Sequence, residues 1–309
     1  MGNHDGESAG RGPIDWATTT RKALFPNPEP NRFYTGNMAK EPELGFPEDY
    51  YAWQWGDAQF IVLDPYRYTI GKRRGRGGPV ANGNAGANRN QGGQGGNNQG
   101  GKNGDKGNGG ANGKNEEPAD ADSNWYWTLG EQQYQWLRKE LTKPSKYRFV
   151  FIHHLVGGAV QNQRGGVEVA TLWEWGGKNT NGENEFEKFR PGWDKPIHQL
   201  LVDSGASIVF HGHDHFFCKQ DLDGIVYQEV PQPSHSREGN TRTASEYGYL
   251  AGEMQPSSGF VRVRVEPDAA RIDYVRTHLN QKERGAPNAE VTFSYTVKPH
   301  TSSRSGSSR

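Results

Sequence analysis

Apolar positions along the chain fall into short blocks separated by Gly, Pro and polar clusters, a rhythm of strands more than of long helices. The stretch 51–55 alternates and 59–63 is a continuous apolar run, with Gly56-Asp57 between them. This predicts two strands joined by a tight turn, the second of them buried. Two further short buried strands are expected at 148–152 and 206–210; they run directly into His153-His154 and His211-Gly212-His213-Asp214-His215. Tyr134, Leu137 and Leu141 share one face of a helix over 131–141, which Pro144 follows. A second, short helix is expected at 196–202, with Pro near its first turn, and 157–195 reads as a long loop region. The last third is strand-rich, at 224–230, 259–265, 270–277 and 290–297, with a hairpin turn at Pro267-Asp268.

Composition changes this picture at one place. Over 71–123 Gly and Asn dominate and periodicity disappears, so the segment has too little apolar surface to offset its chain entropy. It is read as a disordered insertion within one domain spanning 1–299, followed by a tail at 300–309. This insertion accounts for much of the low hydrophobic content, 32%, and of the mean hydropathy of -0.97. Its Arg73-Arg74-Gly75-Arg76 opening resembles RNA-binding Arg/Gly segments, but a solvated linker is the preferred reading. Lys plus Arg and Asp plus Glu both number 36, which argues against a strongly basic nucleic-acid binder. The single Cys218 excludes a disulfide within the chain and a multi-Cys zinc knuckle. No apolar run of about 18 residues is present, so no membrane segment is expected. With Met1 leading straight into Gly2-Asn3-His4-Asp5, no signal peptide is expected within this sequence.

Chemistry concentrates in three His-bearing segments: Gly2-Asn3-His4-Asp5, Ile152-His153-His154 and Gly212-His213-Asp214-His215. The latter two close predicted buried strands, where α/β sheets place ligands. Gly212 permits a sharp turn and leaves room for two imidazoles. Imidazole suits zinc, iron and related transition metals. Asp57 and Asp64 are weaker carboxylate candidates, read as a turn residue and a strand-end cap. His211 reads as a core residue or a support for its neighbours. His198, His235, His278 and His300 read as surface or structural residues.

Taken in order, Gly-Asn-His-Asp, a lone His after a strand and Gly-His-x-His resemble the calcineurin-like, or purple-acid-phosphatase-like, metallophosphoesterases. The resemblance implies an α/β fold, a β-sandwich flanked by helices (α/β/β/α), and metal-dependent hydrolysis of phosphoesters. It implies two divalent or trivalent ions, Fe, Mn or Zn, with Asn3, His153 and His213 on one and His215 on the other. His4 would stand beside the leaving-group oxygen. Asp5, His154 and Asp214 would support these ligands from behind. Arg190, Trp173 and Trp175, between the ligand segments, are candidates for a substrate-selecting rim, with ordinary loop packing by the aromatics as the equal alternative. The family's Asp-x-His and Gly-Asp-x-x-Asp segments would precede Gly2. The expectation is therefore a chain missing the first βα units and the bridging carboxylate, with either two ions or only one retained. The competing readings are an inactive relative that binds a ligand through the aromatic rim, and an RNA-associated protein acting through the insertion.

Overall fold

The computed structural model describes residues 2, 14–69, 123–158, 164–233, 241–278 and 288–300. The insertion read at 71–123, apart from Ser123, and the tail read at 300–309, apart from His300, lie outside them. Among the described residues, the apolar blocks become eleven strands in two sheets. The larger sheet contains β1 (Thr35–Gly36), β2 (Tyr51–Trp55), β3 (Ala58–Val62), β4 (Tyr147–Phe151), β5 (Ile208–His211), β6 (Phe217–Leu222), β7 (Ile225–Glu229) and β8 (Glu253–Gln255). Their spatial order is β1-β2-β3-β4-β5-β7-β6-β8. The smaller sheet contains β9 (Gly259–Val265), β10 (Ala270–Arg276) and β11 (Val291–Val297), in the order β11-β10-β9.

The centre of the large sheet is parallel: β3 pairs with β4, β4 with β5 and β5 with β7. Its flanks are antiparallel. Central parallel strands are covered on both faces, which explains their continuous apolar sequences. In β4, Val150 faces a core that also holds Tyr134, Leu137 and Leu141 of α2 (Gly130–Leu141) and Ile197 and Leu201 of α6 (Ile197–Asp203). Its neighbours Tyr147 and Phe149 face the other way, onto Ala270 and Ile272 of the small sheet. The two cores lie on opposite sides of one strand because side chains alternate along it.

The result is a helical layer, a mixed eight-stranded sheet and a three-stranded sheet, a coarse α/β arrangement. The fourth, helical layer is not present among the described residues. On the outward side of the small sheet Phe260, Arg262 and Arg264 of β9 and Thr292, Ser294 and Thr296 of β11 are exposed.

The tight turn at Gly56 and the helix over 131–141 form as expected. The hairpin at Pro267-Asp268 closes with Glu266 N–H donating to the Ala269 carbonyl at 2.9 Å. The region 157–195 departs from a plain loop. It holds three single-turn helices, α3 (Val167–Ala170), α4 (Trp173–Gly176) and α5 (Phe186–Phe189), stabilised by burial and not by length. The sequence reading also passed over α1 (Ile14–Leu24), a 3-10 turn at Ser123–Tyr126, β1, β8 and β6. β6 is polar at Lys219, Gln220 and Asp221, so hydropathy hides it; its pairing with β7 through the Asp223-Gly224 turn, both residues at positive φ, defines it. Among the described residues no helix is long and apolar enough to cross a membrane.

Candidate metal and catalytic site

Because β3, β4, β5 and β7 run parallel, their C-terminal ends share one edge. There they bound an open cleft of ≈ 400 Å³, lined in part by Leu63, Phe151, His153, His211, Gly212 and Gly2. His153 leaves β4 and His213 leaves β5, so neighbouring strands deliver the two rings to one place. His153 Nε2 lies 3.2 Å from His213 Nδ1. The His154 ring completes a cluster, with centroids 6.0 Å from His153 and 5.7 Å from His213.

Gly2 packs against the same ring: a β-carbon added there would stand 3.3 Å from His153 Cε1. The segment carrying Asn3, His4 and Asp5 thus starts at the cluster, while those three residues lie outside the described ones. His215 is exposed, and its carbonyl accepts the Ser257 hydroxyl.

His154 is 2% exposed and wedged edge-on between Tyr66 and Trp127. Its Nδ1 is 2.8 Å from the Leu155 carbonyl oxygen, so that nitrogen carries the proton. Burial pushes its pKa down to about 3, and the neighbouring His213, His153 and Arg164 push the same way. The ring is therefore neutral, with Nε2 as a lone-pair nitrogen.

A second, fully buried group lies behind the His213 turn. Glu229, at the end of β7, accepts the Asp214 N–H through Oε1 at 3.0 Å and lies 2.9 Å from His211 Nδ1 through Oε2. Arg164 Nη1 donates to Asp214 Oδ1 at 3.1 Å, and the Tyr249 hydroxyl donates to Asp214 Oδ2 at 3.0 Å. Burial raises the pKa of Glu229 well above the usual carboxylate range and raises that of Asp214. Burial lowers His211 to about 4. The expectation that Asp214 supports a neighbouring imidazole thus meets a larger network of Arg164, Glu229 and Tyr249, none of which stood out in the sequence. The one local signal was an acidic residue, Glu229, set between Gln228 and Val230 within a strand-forming stretch.

Three expected rim residues are elsewhere. Trp173 and Trp175 are 1% and 0% exposed and sit in the helix-side core, the Trp175 indole N–H donating to the Tyr227 hydroxyl at 3.0 Å. Arg190 is held by the Glu174 carboxylate and by the Trp125 and Trp127 carbonyl oxygens, at 2.6 and 3.1 Å from the latter two. A buried acid, not a substrate anion, occupies this guanidinium. Asp64 is indeed a strand-end cap, accepting the Tyr66 and Arg67 N–H groups at 2.9 and 3.3 Å. Asp57 sits in the β2–β3 turn, 2.7 Å from Lys146 Nζ.

No family model matches this chain, and no curated protein matches it. Solved structures similar to it include GAP50, described as the anchor in the inner membrane complex of Plasmodium, at TM-score 0.35 and 11% identity over 57% of this chain and 44% of that one. Another is the purple acid phosphatase PPD1 from yellow lupin (Lupinus luteus) seeds, at TM-score 0.35 and 12% identity over 82% of this chain and 33% of that one. The chain spans less than half the length of each.

Proposed function

We propose that the cleft at the ends of β3, β4 and β5 is a metal-dependent phosphoester-hydrolase site. The observation that carries this reading is the 3.2 Å approach of His153 Nε2 and His213 Nδ1 from adjacent parallel strands. Metal–imidazole bonds of about 2.1 Å put two nitrogens on one ion about 3.0 Å apart at a right angle and about 3.4 Å apart at the tetrahedral angle. The pair falls between these values, so the separation of the two nitrogens is that of two ligands on one cation. Among the described residues no group of three or more His, Cys, Asp or Glu side chains is arranged to hold a metal ion. In this reading Asn3 supplies the third ligand beside His153 and His213, and His215 belongs to a second ion.

Bound ions of this kind clamp a phosphoryl group and lower the pKa of a coordinated water. The chain's own residues have distinct tasks around that centre. His153 and His213 fix it at the sheet edge. His154, neutral and shielded by Tyr66 and Trp127, packs against both rings and limits their rotation. His4 donates a proton to the departing alkoxide oxygen. The aromatic-rim reading loses support, since Trp173 and Trp175 are core residues.

The test combines metal analysis of the purified chain with hydrolysis of p-nitrophenyl phosphate and bis(p-nitrophenyl) phosphate after loading with Zn²⁺, Mn²⁺ or Fe³⁺. Metal uptake with turnover supports the proposal. A chain that takes up none of the three ions and cleaves neither ester overturns it.

A further inference from the structure

The turn that carries His213 and His215 does not hold its shape by itself. His213 has φ 91° and His215 has φ 65°, both in the left-handed region that residues with a β-carbon avoid. Such a conformation persists when surrounding contacts over-determine it. The contacts converge on Glu229. Its carboxyl, 0% exposed, accepts the Asp214 N–H at 3.0 Å and also hydrogen-bonds the His215 backbone. Two consecutive turn amides thus point at one buried side chain. The register of β5 on β7 sets His211 opposite Glu229, and the His211 ring takes up the other carboxyl oxygen at 2.9 Å. The Tyr249 hydroxyl closes the ring of contacts, 3.4 Å from Glu229 Oε2 and 3.0 Å from Asp214 Oδ2.

We propose that Glu229 is a positioning residue, which holds the His213-Asp214-His215 turn in its left-handed form so that both imidazoles are presented at the strand ends. The role it positions for, metal ligation, rests on the function proposed above. Groups that orient ligands from behind typically change metal affinity ten- to a hundredfold when removed.

The experiment uses the full chain, labelled with ¹⁵N-histidine, as wild type, Glu229→Ala, Glu229→Gln and Tyr249→Phe. The first readout is the imidazole resonances of the metal-free protein. The second is the affinity for Zn²⁺ alone. In Glu229→Ala the His213 and His215 resonances move while His300, at the opposite end of β4, stays in place. Zn²⁺ binding weakens by about tenfold or more. Glu229→Gln, whose amide oxygen still accepts a turn N–H, recovers much of both. Unmoved His213 and His215 resonances in a folded Glu229→Ala chain overturn the proposal. If that variant does not fold, Tyr249→Phe, which removes the hydroxyl shared by Asp214 and Glu229, is read in its place: the His213 and His215 resonances are expected to move in it, and unmoved resonances overturn the proposal equally. A wild-type chain that takes up none of Zn²⁺, Mn²⁺ and Fe³⁺ and cleaves neither ester removes the functional reading, while the resonances still decide what Glu229 does.

Discussion

His153 Nε2 and His213 Nδ1 meet at 3.2 Å although 60 residues separate them in the chain. Each ring follows a buried parallel strand, and the pairing of β4 with β5 places Phe151 beside Phe210, two and three residues before the respective rings. Loss of either ring should dismantle the pair. His213→Ala in the metal-loaded protein is expected to abolish uptake of the ion and lower hydrolysis more than about a hundredfold, beyond the usual effect of a supporting group. Metal analysis and p-nitrophenyl phosphate turnover check this together; near-normal turnover would contradict the assignment.

His4→Ala should behave differently. A general acid typically contributes about 10²- to 10⁴-fold in rate, so the variant is expected to keep its metal and lose rate in that range. A leaving group of low pKa needs less proton donation, and its hydrolysis should fall less. Simultaneous loss of metal would show that His4 is a ligand and not the acid.

The buried His154 predicts an acid-sensitive fold. Its pKa is lowered by burial from 6.5 to about 3 in the folded chain. Between these values the unfolded chain binds more protons, so stability rises with pH across that window. The contribution is complete above pH 6.5 and is lost progressively as pH falls toward 3. His211, lowered by burial to about 4, acts in the same direction. For one buried group the slope approaches about 1.4 kcal/mol per pH unit. Urea unfolding of metal-free wild type and His154→Gln between pH 4 and 7 should show a shallower dependence in the variant. Equal slopes would rule out His154 as the source.

Arg190 should matter for stability and not for substrate. Glu174 is 0% exposed; its Oε1 accepts the Leu129 N–H at 2.7 Å and its Oε2 pairs with Arg190. Burial raises the Glu174 pKa against the pull of Arg190. Arg190→Met leaves this acid without its cation, and breaking a buried pair in that way costs about 3–5 kcal/mol. The double variant Arg190→Met with Glu174→Gln should recover a large part of the loss in denaturant titration. A single variant of wild-type stability with a raised KM would restore the substrate-binding role.

How far each feature could be read from the chain depends on the range of the forces that set it. The strands 148–152 and 206–210 were legible because a continuous apolar run followed by Gly or His carries its own signal. Periodicity marked α2 in the same way. β6 was not legible, since Lys219, Gln220 and Asp221 are tolerated because β7 supplies backbone partners to all three, and β8 to Lys219 as well. The single-turn helices α3 to α5 are too short to register as periodic patterns.

The candidate site divides along the same line. The sequence by itself determined which residue types stand at the strand ends, because strand, turn and His are neighbours in the chain. That was enough to single out His153, His213 and His215. Only the tertiary structure decided what surrounds them. Trp173 and Trp175 look like rim aromatics in a loop, yet they fill the core, because burying large apolar rings outweighs any local preference for the surface. Arg190 turns to Glu174 for the same reason that Glu229 turns to Asp214 and His211: a buried polar or charged group must find a partner wherever the fold places one. Those partners lie 16, 15 and 18 residues away in the chain. No local pattern spans that distance; the strand order that sets β7 beside β5 does.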